Sequence, residues 1–403
     1  MIELFDKPEH CCGCSACRAA CPVSAISFYT DDKGFEYPSI DRSLCINCGL
    51  CVRVCDLKQN VDESRNAVKI YAAKIKDDEV RMRSSSGGMF SAFSDYFLQR
   101  GGTVYGAAHN ENLETVHIRA DNVHDRDKCI GSKYVQSRMG NVFSQVREDL
   151  KSGKDVFFTG TPCQVAGLDS CLKYSSCPTD KLFTADLVCH GVPSPRLFSE
   201  FITFCEKRTG KKIIEYLHRP KTHYGWSHNE KIIYSDGECD DTSSLVLVWR
   251  TLFYSNVILR PSCYECKYAT HHRYGDITIA DFWGIENIMP DFFDDKGVSL
   301  LFLNTDKSAG VFEVIKDTLI TRESSLEACT PRNPNLLSPS VCKLDQDKFW
   351  QFYHENGFEA VARRYGGYGV KYKIKRYVRN ALEKMHLLNT ARKFIGVIER
   401  YSI

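Results

Sequence analysis

Cys11-Cys-Gly-Cys-Ser-Ala-Cys17-Arg-Ala-Ala-Cys21-Pro22 and Cys45-Ile-Asn-Cys-Gly-Leu-Cys51-Val-Arg-Val-Cys55 decide how the first part of this chain folds. Both runs have the same register: Cys11, Cys14, Cys17 and Cys21 in one, Cys45, Cys48, Cys51 and Cys55 in the other. Three thiolates at i, i+3 and i+6 in a tight loop hold three corners of an iron–sulfur cubane, and the fourth opens a helix and reaches the other cluster. One cluster then takes Cys11, Cys14, Cys17 and Cys55, and the other takes Cys45, Cys48, Cys51 and Cys21. Small residues in the loops (Gly13, Ser15, Ala16, Gly49) let backbone N–H groups approach the sulfides. Between the runs, Ala25–Tyr29, the turn Asp31-Asp-Lys-Gly34 and Phe35–Pro38 read as a hairpin. Cys12 adds a thiol beside a ligand, in a register that does not suit ligation. Two zinc sites are the competing reading, and the doubled register favours clusters.

Residues 5–58 resemble the bacterial two-cluster ferredoxin; one departure is Asp56 after Cys55, where proline is usual. Outward from this head, 403 residues allow two to four domains. Apolar residues at 43% and charged residues at 26% are an ordinary globular balance. A net formal charge of +2 gives no reason to expect a nucleic acid partner. The 20 cysteines stand out, nine of them within residues 1–55. The N-terminus lacks an apolar leader pattern, and apolar runs such as Leu245–Trp249 fall far short of the ~20 residues that span a bilayer. A cytoplasmic protein with reduced thiols is the expectation, which favours metal or iron–sulfur ligation over disulfides.

Asp56–Lys69 reads as a linker. Beyond it helices and strands alternate. Helices are expected at 87–100, 140–150, 162–171, 195–208 and 245–254. Strands are expected at 103–108, 115–119, 155–159, 182–188, 213–218, 231–234, 276–280 and 298–304. This predicts a mixed α+β or α/β core, in parts at 70–160 and 161–350, after a ferredoxin-type domain at 1–58. No G-x-G-x-x-G follows a strand, so the core is not a Rossmann unit.

Four segments of the core carry unusual residues, and a fifth holds a C-x-x-C. Ser84-Ser85-Ser86-Gly87-Gly88 precedes a helix and offers hydroxyls and N–H groups, a phosphate site or a plain N-cap. Gly131-Ser132-Lys133-Tyr134-Val-Gln136-Ser137 is polar and brings a cation. Gly160-Thr161-Pro-Cys163 and Asp186-Leu-Val-Cys189-His190 each follow a strand, where α/β sheets gather cofactors. Cys263-Tyr-Glu-Cys266 leads toward Asp281 and Trp283, and alone it fits zinc, redox or cluster roles.

In this order, over about residues 70–350, the segments resemble the beta subunit family of coenzyme F₄₂₀ hydrogenase and dehydrogenase, a group that includes 7-hydroxymethyl chlorophyll a reductase. The resemblance implies a non-Rossmann flavin fold, FAD, and a third four-iron cluster on Cys163, Cys189, Cys263 and Cys266. It places the flavin at Ser84–Gly88, at Gly131–Ser137 and at Gly160 and Thr161. Such a chain is an iron–sulfur flavoprotein oxidoreductase that carries electrons between clusters and flavin, with two-electron chemistry on an organic small molecule or a deazaflavin. Lys133 is the candidate for stabilising reduced flavin, and His190 for relaying a proton or for a structural hydrogen bond. The expected partner is a ferredoxin or another component of a hydrogenase or dehydrogenase. An electron-transfer subunit without its own substrate is the alternative, as is a redox enzyme of polysaccharide biosynthesis.

Residues 363–403 carry eleven Lys and Arg against Glu383 and Glu399. Ile374, Val378, Leu382, Met385 and Leu388 recur at helical spacing. This basic amphipathic tail suits docking on the core or peripheral contact with the inner face of a membrane.

Overall fold

The computed structural model describes residues 2–221 and 225–369. The basic tail lies outside them, apart from Arg363 and Arg364 at the end of the last helix and the turn that follows it. Strands are β1 (Ile26–Thr30), β2 (Glu36–Ile40), β3 (Lys69–Ile75), β4 (Thr103–His109), β5 (Thr115–Ala120), β6 (Val156–Gly160), β7 (Leu182–Leu187), β8 (Ile213–His218), β9 (Glu230–Tyr234), β10 (Cys239–Asp240), β11 (Ile277–Asp281), β12 (Ser299–Leu303) and β13 (Leu319–Ser324). The head is the antiparallel hairpin β1–β2 with a cysteine run on either side.

The core is one eight-stranded sheet in the order β13-β3-β12-β11-β7-β6-β4-β5. Its centre, β4-β6-β7-β11, is parallel, and antiparallel strands close both sides. Parallel strands must be covered on both faces, and every residue of β6 is buried. Side chains alternate across a strand, so Phe157 and Phe158 serve opposite layers. Phe157 packs with Phe93 and Phe97 of helix Met89–Gln99 and with Phe183. Phe158 packs with helices Val142–Lys151 and Pro162–Tyr174. That second layer also contains Ala16, Ala20 and Val54, so the head rests on the core through apolar contact. A smaller sheet, β10-β9-β8, is covered by helices Pro195–Thr209, Val246–Tyr254 and Gln346–Arg364 around the buried Trp249.

The single large sheet takes strands from both sides of residue 160. The sequence pattern misses β3 and β13, and β3 lies between β12 and β13 inside the sheet. Among the described residues, no helix is long and apolar enough to cross a membrane.

Candidate functional site

The two head loops share one backbone. Gly13 and Ser15 flank Cys14 with φ of +71° and +69°, and Asn47 and Gly49 flank Cys48 with φ of +55° and +72°. Left-handed residues on both sides of the middle cysteine curl each loop around a common centre. Cys21 lines one pocket with Cys45, Cys48 and Cys51. Cys17 lies in the field of Cys11 and Cys55, and Cys14 in turn feels Cys17. The Ala25 amide donates to Cys21 Sγ at 3.3 Å. Burial pushes the Cys55 thiol up to about 11 and moves Cys17 higher still. Thiols this dry ionise when a metal centre takes the charge.

The core quartet is assembled from separate elements. Cys163 opens helix Pro162–Tyr174 directly after β6, and Cys189 follows β7. Because β6 and β7 are parallel neighbours, both loops leave the same edge side by side. Cys263 and Cys266 arrive on a loop tied there by the Arg260 amide donating to the Val192 carbonyl at 2.9 Å. All four line one cavity. The Val192 amide donates to Cys263 Sγ at 3.4 Å, and Thr161 Oγ1 lies 3.1 Å from Cys163 Sγ. Burial raises the Cys189 thiol to about 12.

Cys12 lines the same cavity. Its thiol interacts electrostatically with those of Cys14 and Cys163, so it stands between a head cysteine and a core cysteine. The register that disqualifies it as a head ligand turns its side chain the other way, toward the core.

Other predicted residues separate into groups. Thr161 borders the cysteine cavity and caps the helix that carries Cys163. His190 borders it too, with Nε2 2.6 Å from Asn256 Oδ1 and its ring against Phe253; burial lowers its pKa. Gln136 lies at the head–core seam, donating to the Cys12 carbonyl at 3.1 Å. Ser137 is buried between His117 and Gln164. Both are thus held at the seam and beside β5 and helix Pro162–Tyr174, not on the Ser84–Gly88 loop.

A second group does converge. The Ser132 amide donates to Ser85 Oγ at 2.8 Å, which joins the Gly131 loop to the Ser84–Gly88 loop. The latter is braced by Gly87 N donating to Ser299 Oγ and Ser86 Oγ donating to the Val298 carbonyl. Lys221 Nζ donates to the Ser86 carbonyl at 2.6 Å, and burial lowers its pKa to about 7. Arg219 pairs with Asp281, donates to the Ser85 carbonyl and lies over Trp283. Trp226 stacks on Trp283 at 4.8 Å. Lys133 Nζ donates to the Lys128, Ile130 and Gly131 carbonyls, and burial lowers its pKa to about 8. Its field reaches His109 and His218. His109 Nε2 and both ring nitrogens of His218 are buried without a hydrogen-bond partner. Tyr134 stacks on Phe253 at 4.4 Å beside them.

Residues 153–327, which hold all four core cysteines, match the family described as the C terminus of the coenzyme F₄₂₀ hydrogenase/dehydrogenase beta subunit. Residues 10–58 match the 4Fe-4S dicluster domain. The chain joins these two domains. It is similar to the subunit designated F of the F₄₂₀H₂ dehydrogenase of Methanosarcina mazei, 26% identical over 175 residues, which is 40% of this chain and 49% of that protein. The match spans about half the length of that relative. The head is similar to an uncharacterised ferredoxin of Methanocaldococcus jannaschii, 27% identical over 77 residues, 19% of this chain and 91% of that one. A solved structure of the F₄₂₀-reducing [NiFe] hydrogenase complex from Methanosarcina barkeri contains a chain that aligns with a TM-score of 0.46 and 18% identity, over 76% of this chain and 94% of that chain. These matches relate residues 10–58 to four-iron dicluster domains and residues 153–327 to the F₄₂₀ hydrogenase/dehydrogenase beta subunits. Ser84–Gly88 and Gly131–Ser137 lie outside the stretches matched by the two families.

Proposed function

We propose that this protein carries electrons through three four-iron clusters to a flavin, where they are paired for an organic acceptor or deazaflavin. The observation that carries this reading is the single cavity lined by Cys163, Cys189, Cys263 and Cys266 directly against the first head run. Four thiols there suit a third cluster, and the amide donated to Cys263 suits a ligand sulfur. The head would hold its two clusters crosswise; Cys21 lining a pocket with Cys45, Cys48 and Cys51 supports this. Cys48 is exposed, and Leu44 and Ile46 of the same loop are exposed at 52% and 62%, so the outer head site would be the point of contact with a redox partner.

The flavin would lie against the Ser84–Gly88 and Gly131–Tyr134 loops. The fit rests on orphaned groups: a buried histidine with no hydrogen bond on either nitrogen, such as His218, whose Nδ1 is 3.9 Å from Glu230, is costly and suits a polar ligand. Flavin, when bound, converts between one- and two-electron chemistry. His109 and His218 would bond its polar edge, Lys133 would set a positive field beside it, and Trp226 with Trp283 would exclude water. The alternative, a subunit without its own substrate, is favoured by the relative named as part of a dehydrogenase.

Anaerobically purified protein should release FAD on denaturation. In Cys263→Ser the flavin should remain bound, and its reduction by an added low-potential donor should be lost or strongly slowed. An unchanged rate in that variant contradicts the core cluster. An acceptor reduced by the isolated chain would separate the enzyme from the pure relay.

A further inference from the structure

Arg260 is fully buried, at 0% exposure. Among the described residues no carboxylate lies within ion-pair distance of it. A guanidinium out of water without a counter-charge is expensive. Its donors are placed with care: Nε to the Cys11 carbonyl at 2.8 Å, Nη2 to the Glu36 carbonyl at 2.9 Å, and Nη1 to Gln136 Oε1 at 2.9 Å. The cation lies 4.3 Å from the Tyr37 ring centre. Neutral partners hold each of its three nitrogens and leave its charge unanswered.

The location answers it. Nη2 is 3.8 Å from Cys11 Sγ, a predicted ligand of the first head cluster. The same side chain borders the cavity of the core cysteines. Gly13 makes room for it: a Cβ there would come within 3.0 Å of Nη1 and 2.9 Å of Gln136 Nε2. A cluster held by four thiolates is anionic and becomes more so with each electron it gains. One buried cation thus stands between two sites that would each carry negative charge.

We propose that Arg260 is the shared counter-charge of the first head cluster and the core cluster, a positioning residue that docks the two sites together and raises their reduction potentials. The proposal rests on the cluster reading given above. The cation favours the reduced state of either cluster, because one added electron increases the negative charge it faces.

The test is a mediated redox titration of the full chain, followed by electron paramagnetic resonance, with iron counted in every sample. In R260Q the potential of at least one of these two clusters should fall. The outer cluster of Cys21, Cys45, Cys48 and Cys51 should keep its wild-type value. R260K, which keeps the charge, should recover most of the shift. Should R260Q fail to assemble, Q136E neutralises the cation in place and should lower the same potentials. Iron-replete R260Q or Q136E with wild-type potentials overturns the proposal, as does R260K shifted as far as R260Q. Wild-type protein with only about eight irons contradicts the cluster reading itself, and overturns the shared role with it.

Discussion

The head and the core collect cysteines in opposite ways. The head takes eight from two short runs, each within eleven residues, and a repeated pair of left-handed positions shapes each loop. The core takes four from three places up to a hundred residues apart, and only the parallel pairing of β6 with β7 brings Cys163 beside Cys189. A site written locally depends on loop geometry. A site written by topology depends on everything that holds the sheet. The two regions should therefore respond differently to damage.

The largest effect is expected at Asp186, buried near the end of β7 and paired with Arg273 at 2.9 Å. Asp186 also accepts from Thr278 Oγ1 at 2.6 Å and from the amides of Tyr274 and Gly275 at 3.0 Å. Asp186→Ala leaves a buried guanidinium unpaired and should cost about 3–5 kcal/mol. Denaturant unfolding should show this loss, with core iron lost before head iron. Equal loss from both regions would break the contrast.

Next is Glu230 on β9, which faces Tyr216 and His218 and feels Arg250. Burial raises its carboxyl pKa to about 8. Below about pH 4.3 it is neutral in folded and unfolded chains alike, so the folded state keeps its full stability. Between there and about pH 8 the unfolded chain releases the proton while the folded chain retains it, so stability falls as pH rises. The fall should be on the order of a few kcal/mol. Glu230→Gln should flatten the slope between pH 5 and 8 when unfolding free energy is compared at both.

The seam between the regions is tested by Gly167 on helix Pro162–Tyr174. A Cβ there would meet Cys14 Sγ at 2.8 Å. Gly167→Leu should cost about 1–3 kcal/mol by overpacking and expose the seam to limited proteolysis, while head loops keep their spectrum. The smallest effect is at the rim. Lys69 Nζ on β3 lies 3.6 Å from Glu323 Oε1 on β13 and both are exposed, so Lys69→Ala should cost no more than about 1 kcal/mol in a melting experiment.

Legibility followed the same division. The cysteine register exposes the head because cluster ligands there are close in sequence. Strand–helix alternation exposes the strongly apolar elements, such as β6 and helix Met89–Gln99. It fails at β3, Lys69-Ile-Tyr-Ala-Ala-Lys-Ile75, where two alanines and two lysines blur the pattern, and at β13, an edge strand with mostly exposed residues. The core cysteines are legible through family resemblance, since no local spacing links Cys163 to Cys263. Register says of Cys12 only that it does not suit its own loop; that its thiol lines the core cavity requires the assembled seam. Nothing around Ile258-Leu-Arg260-Pro261 marks a buried cation; that requires the assembled seam.

The most direct measurement is iron and acid-labile sulfide per chain after strictly anaerobic purification, on wild type and Cys189→Ser. The account predicts about twelve irons in wild type and about eight in the variant. About eight irons in both would contradict a cluster in the core cavity.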